Sequence, residues 1–345
     1  MPRSPDPRRA TLSDVAALSG VSKATVSKAL NGRGDVSVET RERVLAAVAD
    51  LGYRPTTSPE QTARRAIAVA FDIPASPYIL NVLQGVLAAS TENHLDLLTR
   101  LGPDRTVRTG RAVAREWVAE QRAVGAIGIV GLTLSRPDAL LDAAADAGIP
   151  FVMVDPVDAT HRRLVSVASS NWAGARAAAD HLISLGHHRI AWIGGPESSA
   201  AARDRLYGYR AALDAAGLEV DPALAVSDQF DIAAGSRHAR ALLTLPQAPT
   251  AIMAADDEIA VGILAAAREL GLRVPQDLSV IGFDDTPQAP WTTPPLTTVR
   301  QHLEEMGRMA VQTVIAISAG QQPVSRHVEL ATSLTIRETT APPSR

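Results

Sequence analysis

The chain contains no cysteine, so disulfides, thiolate nucleophiles and cysteine-based metal sites are excluded. No window approaches 18 uninterrupted apolar residues, which argues against a membrane-spanning helix and a membrane partner. Met1-Pro2-Arg3-Ser4-Pro5 has no apolar core behind it, so no secretory signal is expected and a cytoplasmic location is. The eight histidines include no His-x-x-x-His spacing, and Gly-x-x-x-x-Gly-Lys is missing, so neither a metal, a nucleotide nor any other cofactor is expected. Lysine is nearly absent: 32 of the 34 basic side chains are Arg, leaving only Lys23 and Lys28. Aromatic residues number just 12. What remains is globular: 345 residues, 46% hydrophobic and 21% charged, a length suited to two or three packed units.

The net charge of -3 hides an asymmetry, since residues 1–65 carry 11 basic and 7 acidic side chains while the rest is acidic. A basic head on an acidic body points to nucleic acid met by the head alone. Residues 1–10, with three Pro and three Arg, read as a disordered basic arm. Thr11 caps a first helix, with Val15, Ala16 and Leu18 apolar and Asp14 suited to the positive end of the dipole. Gly20 supplies a tight turn. Ser22 caps a second helix through Leu30, with Val26 and Leu30 inward. Ser37 caps a third, where Val44, Leu45, Val48 and Leu51 repeat at helical spacing. Residues 11–55 therefore form a helix-turn-helix head. On its second helix Lys23, Ala24, Ser27 and Lys28 project outward, and Ser22 and Thr25 sit at the N-terminus, where a phosphate is well received.

Residues 56–66 are polar, interrupted by Pro59, and form a linker. From 67 to 340, apolar runs (Ile67–Phe71, Ala126–Val130, Pro150–Asp155, Arg189–Gly194, Thr250–Ala254, Leu278–Phe283) alternate with helical stretches such as Tyr78–Asn93, Ala173–Leu185, Arg205–Ala216 and Asp257–Leu270. The expected fold is an all-α helix-turn-helix head followed by an α/β body of two doubly wound parallel-sheet lobes. In such sheets ligands bind beyond the carboxyl ends of strands. Asp256-Asp257 and Asp284-Asp285 stand there. Asp257 reads as a helix cap and Asp285 as a turn former, which leaves Asp256 and Asp284 for a hydroxylated ligand. Asp155 is balanced between ligand contact and turn. Arg205, at an expected helix start, opposes the dipole, which disfavours a purely structural role. Phe71, Phe151, Trp192 and Phe283 read as core. Phe230 and Trp172, beside loops, are candidates to stack on a sugar. Trp291 fits stacking or a dimer interface equally.

The words Thr11-Leu12-Ser13-Asp14-Val15-Ala16, Val21-Ser22-Lys23-Ala24-Thr25-Val26-Ser27-Lys28-Ala29-Leu30-Asn31 and Leu51-Gly52-Tyr53-Arg54-Pro55 resemble the LacI/GalR family of bacterial transcription regulators. Leu185-Gly186-His187-His188-Arg189-Ile190-Ala191, Val274-Pro275-Gln276-Asp277-Leu278-Ser279-Val280-Ile281-Gly282-Phe283-Asp284-Asp285 and Pro294-Pro295-Leu296-Thr297-Thr298-Val299-Arg300-Gln301 extend the resemblance to about residue 337. It implies a periplasmic-binding-protein-like body that takes a small effector, usually a sugar, between its lobes. It implies base reading by Lys23, Ala24 and Lys28, with Thr11, Ser22, Thr25, Ser27, Asn31 and Tyr53 completing the DNA-facing set. It places effector contacts at Arg205, Asp284, Gln301, Phe230 and Asp256, where the family usually has Asn.

These features together read as a DNA-binding repressor acting as a homodimer on a near-palindromic operator and controlled by a carbohydrate. A transport-type binding protein or a glycoside-acting enzyme would leave the head unexplained. The family usually has a hinge helix in the linker with a leucine that wedges into the minor groove. Thr56–Ala66 has no Leu, Ile, Phe or Met, so weak DNA bending is expected.

Overall fold

A computed structural model describes residues 10–30, 36–51, 53, 65–71, 76–102, 110–157 and 160–344. The chain divides after Arg64 into two compact units. Asn31 and nearly all of the linker lie outside the described residues, so the expectations placed on them are not addressed by the structure.

In the first unit, α1 (Leu12–Ser19), α2 (Lys23–Leu30) and α3 (Val38–Leu51) pack around Val15, Ala16, Val26, Val44 and Ala47. The caps are those expected: Thr11 bonds Asp14, and the hydroxyls of Ser22 and Ser37 accept the N–H of Thr25 (3.1 Å) and Thr40 (3.3 Å). Gly20 takes φ 68 and turns the chain from α1 to α2, a conformation that costs glycine little. Two apolar residues depart from expectation. Leu18 and Leu45 are half-exposed, at 54% and 51%. Ser19 and Ala47 take the inward positions, because each helix is rotated toward the stripe it shares with Val15 or Val44. Tyr53 is a larger correction: at 7% exposure its ring belongs to the head's core rather than to a DNA-facing surface.

The second unit has two lobes. The first builds β1 (Ala66–Phe71), α4 (Pro77–Glu92), β2 (Asp96–Leu101), α5 (Arg111–Ala123), β3 (Ala126–Leu132), α6 (Asp138–Asp146), β4 (Phe151–Val154) and β5 (Val165–Ser169). The second builds α7 (Asn171–Ser184), β6 (Ile190–Gly194), α8 (Ala200–Ala215), β7 (Ala225–Ser227), α9 (Ile232–Leu243), β8 (Ala251–Ala254), α10 (Asp257–Glu269), β9 (Ser279–Asp284) and β10 (Thr297–Arg300). The chain then returns with α11 (Leu303–Ser318) and β11 (His327–Leu330) to the first lobe, and ends with β12 (Ser333–Thr335) in the second.

The sheet orders are β11-β5-β4-β3-β1-β2 and β12-β10-β9-β8-β6-β7. Every pairing is parallel except that of β12 with β10. Strands such as β1, AIAVAF, are apolar on both faces because helices cover both, as parallel sheets require. Three short crossings, at residues 170, 301–302 and 331–332, join the lobes. Two of them are tied together, since Ser170 Oγ accepts the Thr332 N–H at 3.2 Å and Ser170 N–H donates to the Leu330 carbonyl at 2.9 Å.

Candidate functional site

In the head, α2 buries Val26 and Ala29 and exposes Ser22, Lys23, Ala24 and Lys28. Thr25 and Ser27 are half-buried beside them. Ser22 and Thr25 also share a hydroxyl–hydroxyl hydrogen bond of 2.9 Å. Thr11 is exposed, but its N–H and its hydroxyl both donate to Asp14, at 2.7 Å each, so its first duty is the cap.

In the body, a cavity of about 470 Å³ lies between the lobes at the carboxyl ends of both sheets. The first lobe contributes Tyr78 from the start of α4, Thr133 after β3 and Asp155 after β4. The second contributes Arg205 from α8, Phe230 before α9, Asp256 and Glu258 around the start of α10, and Asp284 at the end of β9. Asp155, Arg205, Phe230, Asp256 and Asp284, all singled out in the sequence, therefore meet in one place.

Arg205 is the hub. Its buried guanidinium donates to Asn171 Oδ1 (2.7 Å) and to the Ala255 carbonyl (2.6 Å), lies 3.3 Å from Asp284 Oδ1, and stacks 3.9 Å above the Phe283 ring. The helix that carries it begins at Ala200, capped by Ser199, so Arg205 sits in the second turn and not at the helix start. Without apolar periodicity, Ala200–Asp204 gave no sign of that earlier beginning. Tyr78 donates its hydroxyl to Asp155 Oδ2 at 2.6 Å. Phe230 packs on the Gly195 backbone, where a Cβ would come within 2.2 Å of its ring.

The paired aspartates exchange their expected roles in one case. Asp256, not Asp257, caps α10, accepting the Ile259 N–H at 2.7 Å, while still lining the cavity. Asp257 is buried behind it, accepting from Thr286 N–H (2.8 Å), Thr286 Oγ1 (3.0 Å) and Thr298 Oγ1 (2.6 Å). Asp285 turns the chain at φ 54 and also pairs with Arg300 and Arg337, at 2.6 Å each. Gln301 does not line the cavity; its amide donates to Asp284 Oδ1 from behind. Trp172 is away from the cavity as well, 43% exposed, with the Arg176 guanidinium over its ring. Trp172 is the second residue of α7, so helix rotation, which sequence alone could not fix, sets its direction. Trp291 is 75% exposed.

Burial raises the carboxyl groups in and behind this cavity above their ordinary range. It pushes Asp284 up to about 7 against the opposing pull of Arg205, and Asp257 up to about 8. Asp256 is raised by burial and by the nearby Asp284; Asp155 is raised by burial, partly offset by the Tyr78 hydrogen bond. Thr133, Asp155 and Asp284 all have positive φ (46, 43 and 108). Strained backbone of this kind is held in place by surrounding structure and concentrates at ligand sites. Two buried oxygens of the cavity lining, Asp155 Oδ1 and Thr133 Oγ1, are left without a hydrogen-bond partner, as is Gln301 Oε1 behind them. Among the described residues no cluster of His, Asp or Glu is arranged to hold a metal ion, and no helix is long and apolar enough to cross a membrane.

Tyr78, Thr133, Asn171 and Glu258 were not foreseen. Only Asn171, next to Trp172 ahead of a helix, carried any local signal.

Comparison with known proteins gives each part of the chain a family. Residues 11–56 match the model of bacterial regulatory proteins of the lacI family, and residues 179–340 match that of periplasmic binding protein-like domains. The HTH-type transcriptional regulator CelR of Thermobifida fusca is 34% identical over 96% of this chain and 98% of its own. The lactose operon repressor of Escherichia coli K12 is 32% identical over 97% and 91%. Among solved structures, a CelR–cellobiose complex superposes with TM-score 0.71 at 33% identity, covering 96% of this chain and 100% of that one. The lac repressor dimer bound to operator and the anti-inducer ONPF superposes with TM-score 0.75 at 30% identity, covering 97% and 100%. Reading head and body together with these likenesses, the chain belongs to the lacI family of bacterial regulatory proteins and is a DNA-binding transcriptional regulator, not an enzyme.

Proposed function

We propose that this protein is a cytoplasmic repressor that binds a near-palindromic operator as a homodimer and is controlled by a neutral carbohydrate held between its lobes. The observation that carries the effector class is the excess of buried acceptors. Asp155, Asp256 and Asp284 surround the single guanidinium of Arg205, and two buried oxygens of the lining, Asp155 Oδ1 and Thr133 Oγ1, lack hydrogen-bond partners. Leaving such groups unsatisfied costs about 1–3 kcal/mol each, and sugar hydroxyls supply the missing donors without adding charge. An anionic ligand would meet a ring of carboxylates. Phe230 offers its face to the apolar side of a sugar ring, and Arg205 donates to a ring or hydroxyl oxygen. On the head, Lys23, Ala24 and Lys28 read base edges, while Ser22, Thr25 and Ser27 lie where backbone phosphates approach.

Cellobiose is the first probe, because the CelR structure that this chain resembles holds it. A thermal-shift series with cellobiose and a panel of neutral mono- and disaccharides is expected to raise the midpoint for one or a few of them, since ligand binding to the native state stabilises it. Stabilisation by uronic acids or sugar phosphates, with none by neutral sugars, would refute this reading of the cavity.

A further inference from the structure

A second hollow, of about 190 Å³, opens between α5, α6 and residues 162–163 of the first lobe. Four arginines line it, Arg111, Arg115, Arg162 and Arg163, against two carboxylates, Asp142 and Asp146. The carboxylates are already engaged. Arg163 Nη1 lies 3.2 Å from Asp146 Oδ1 and 3.4 Å from Asp142 Oδ1, and Arg115 Nη2 lies 3.6 Å from Asp146 Oδ2. His161 Nε2 adds a further contact to Asp142 at 3.6 Å. Among the described residues, neither Arg111 nor Arg162 has a carboxylate within ion-pair distance.

A surface ion-pair network would match its charges, yet this hollow keeps two cations in excess. Arg111 and Arg115 also stand one turn apart on α5, a like-charge spacing that works against the helix. The walls are fixed in place: Arg326 Nη1 donates to the Arg162 carbonyl at 2.7 Å, the Arg163 N–H donates to His161 Nδ1 at 3.3 Å, and Arg122 Nη1 ties α5 to the Ala147 carbonyl at 3.0 Å. Ala139 and Ala143 are short and leave the space open.

Guanidinium forks match the oxygens of a phosphate in pairs, and a phosphate carries nearly the charge that two unpaired arginines lack. We propose that this hollow binds a small phosphate-bearing anion, with Arg111 and Arg162 supplying the unneutralised charge and Arg115 and Arg163 completing the ring. The interlobe cavity, acidic and lined by other residues, is a separate site for a ligand of opposite character. Because the hollow is open to solvent, its affinity falls as salt rises.

The test is calorimetric titration of the full chain with inorganic pyrophosphate, with orthophosphate and with chloride at matched ionic strength. Pyrophosphate is expected to bind and chloride is not; binding of orthophosphate as tightly would mean that one phosphate group suffices. Arg111→Gln/Arg162→Gln is expected to weaken pyrophosphate binding by about tenfold or more, roughly 1.4 kcal/mol per factor of ten. Both side chains are exposed, so the thermal midpoint without ligand and the operator affinity are expected to stay at wild-type values. The basic head is controlled for with Lys23→Ala/Lys28→Ala, which is expected to bind pyrophosphate as the wild type does. No pyrophosphate binding at matched ionic strength, full binding by the arginine variant, or loss confined to the lysine variant would each overturn the proposal.

Discussion

On the outward face of α2, Lys23 and Lys28 stand in solvent, whereas Asp155, Asp256 and Asp284 lie buried around the interlobe cavity. The two regions bind through different physics. Exposed cations meet a polyanion by displacing its counterions, so their work depends on salt and counts phosphates. Buried carboxylates act through hydrogen bonds that nothing else can make, so their work depends on the donors of one ligand and hardly on salt. Regulation of one by the other thus joins a surface that tolerates variation in its partner to a cavity that does not.

Removing Arg205 tests the buried side most severely. Arg205→Ala leaves Asp284 without its cation and the Asn171 and Ala255 oxygens without their donor. The expected destabilisation is about 3–5 kcal/mol at pH 8. It is expected to be smaller at pH 6, where Asp284 takes up a proton and removes the uncompensated charge. Urea unfolding at the two pH values measures this; equal losses would mean that Asp284 is already protonated at pH 8. Asp284→Ala comes next. It is expected to cost about 2–3 kcal/mol of effector binding, roughly 30- to 150-fold, with operator affinity of the ligand-free protein unchanged. Paired titrations with operator and effector check it, and wild-type effector affinity would remove Asp284 from the site.

The exposed side is probed with Lys28→Ala. Discrimination at one operator position is expected to relax by about 1–3 kcal/mol, seen by gel shift over single-base operator variants. A uniform loss across all variants with a salt slope lower by about one would make Lys28 a phosphate contact instead.

The smallest effect is a pH slope. Asp257 and Asp284 hold protons in the native state up to about 8 and about 7, which the unfolded chain gives up near 4. Unfolding therefore releases protons, and the contribution of these groups to stability falls as pH rises toward the native values. Buried His187 and half-buried His181, held below their ordinary value by desolvation, act in the other direction below about pH 6.5. Between pH 7 and 8 the carboxylates act alone among these groups, and stability is expected to fall by on the order of 1 kcal/mol. Asp284→Asn is expected to flatten that slope.

The sequence carried the parts of the fold in which one element declares itself. Strands β1, β3, β4, β6, β8 and β9 are buried on both faces, so each is a nearly uninterrupted apolar run, and β4, β8 and β9 lead into aspartates at their carboxyl ends. That made Asp155, Asp256 and Asp284 legible. Strand β2 is mostly exposed at a sheet edge, and β7 and β12 have three residues each, too short for any periodicity to show. Partners brought in by the fold were invisible: Tyr78 meets Asp155 across 77 positions. Within a pair such as Asp256-Asp257, cap geometry and not composition decides which side chain faces the ligand. Tyr53 misled for a related reason, since a family word gives a residue's address but not the direction of its ring.

The three crossings between the lobes have a mechanical meaning. Residues 170 and 332 are bonded side by side, and the third crossing carries Gln301, whose amide holds Asp284. Three crossings side by side, two of them bonded to each other, restrain twisting and sliding of one lobe on the other more than bending across them. A ligand gripping Asp284 would bear on a residue that Gln301, in one of these crossings, already holds, so cavity and crossing share a contact.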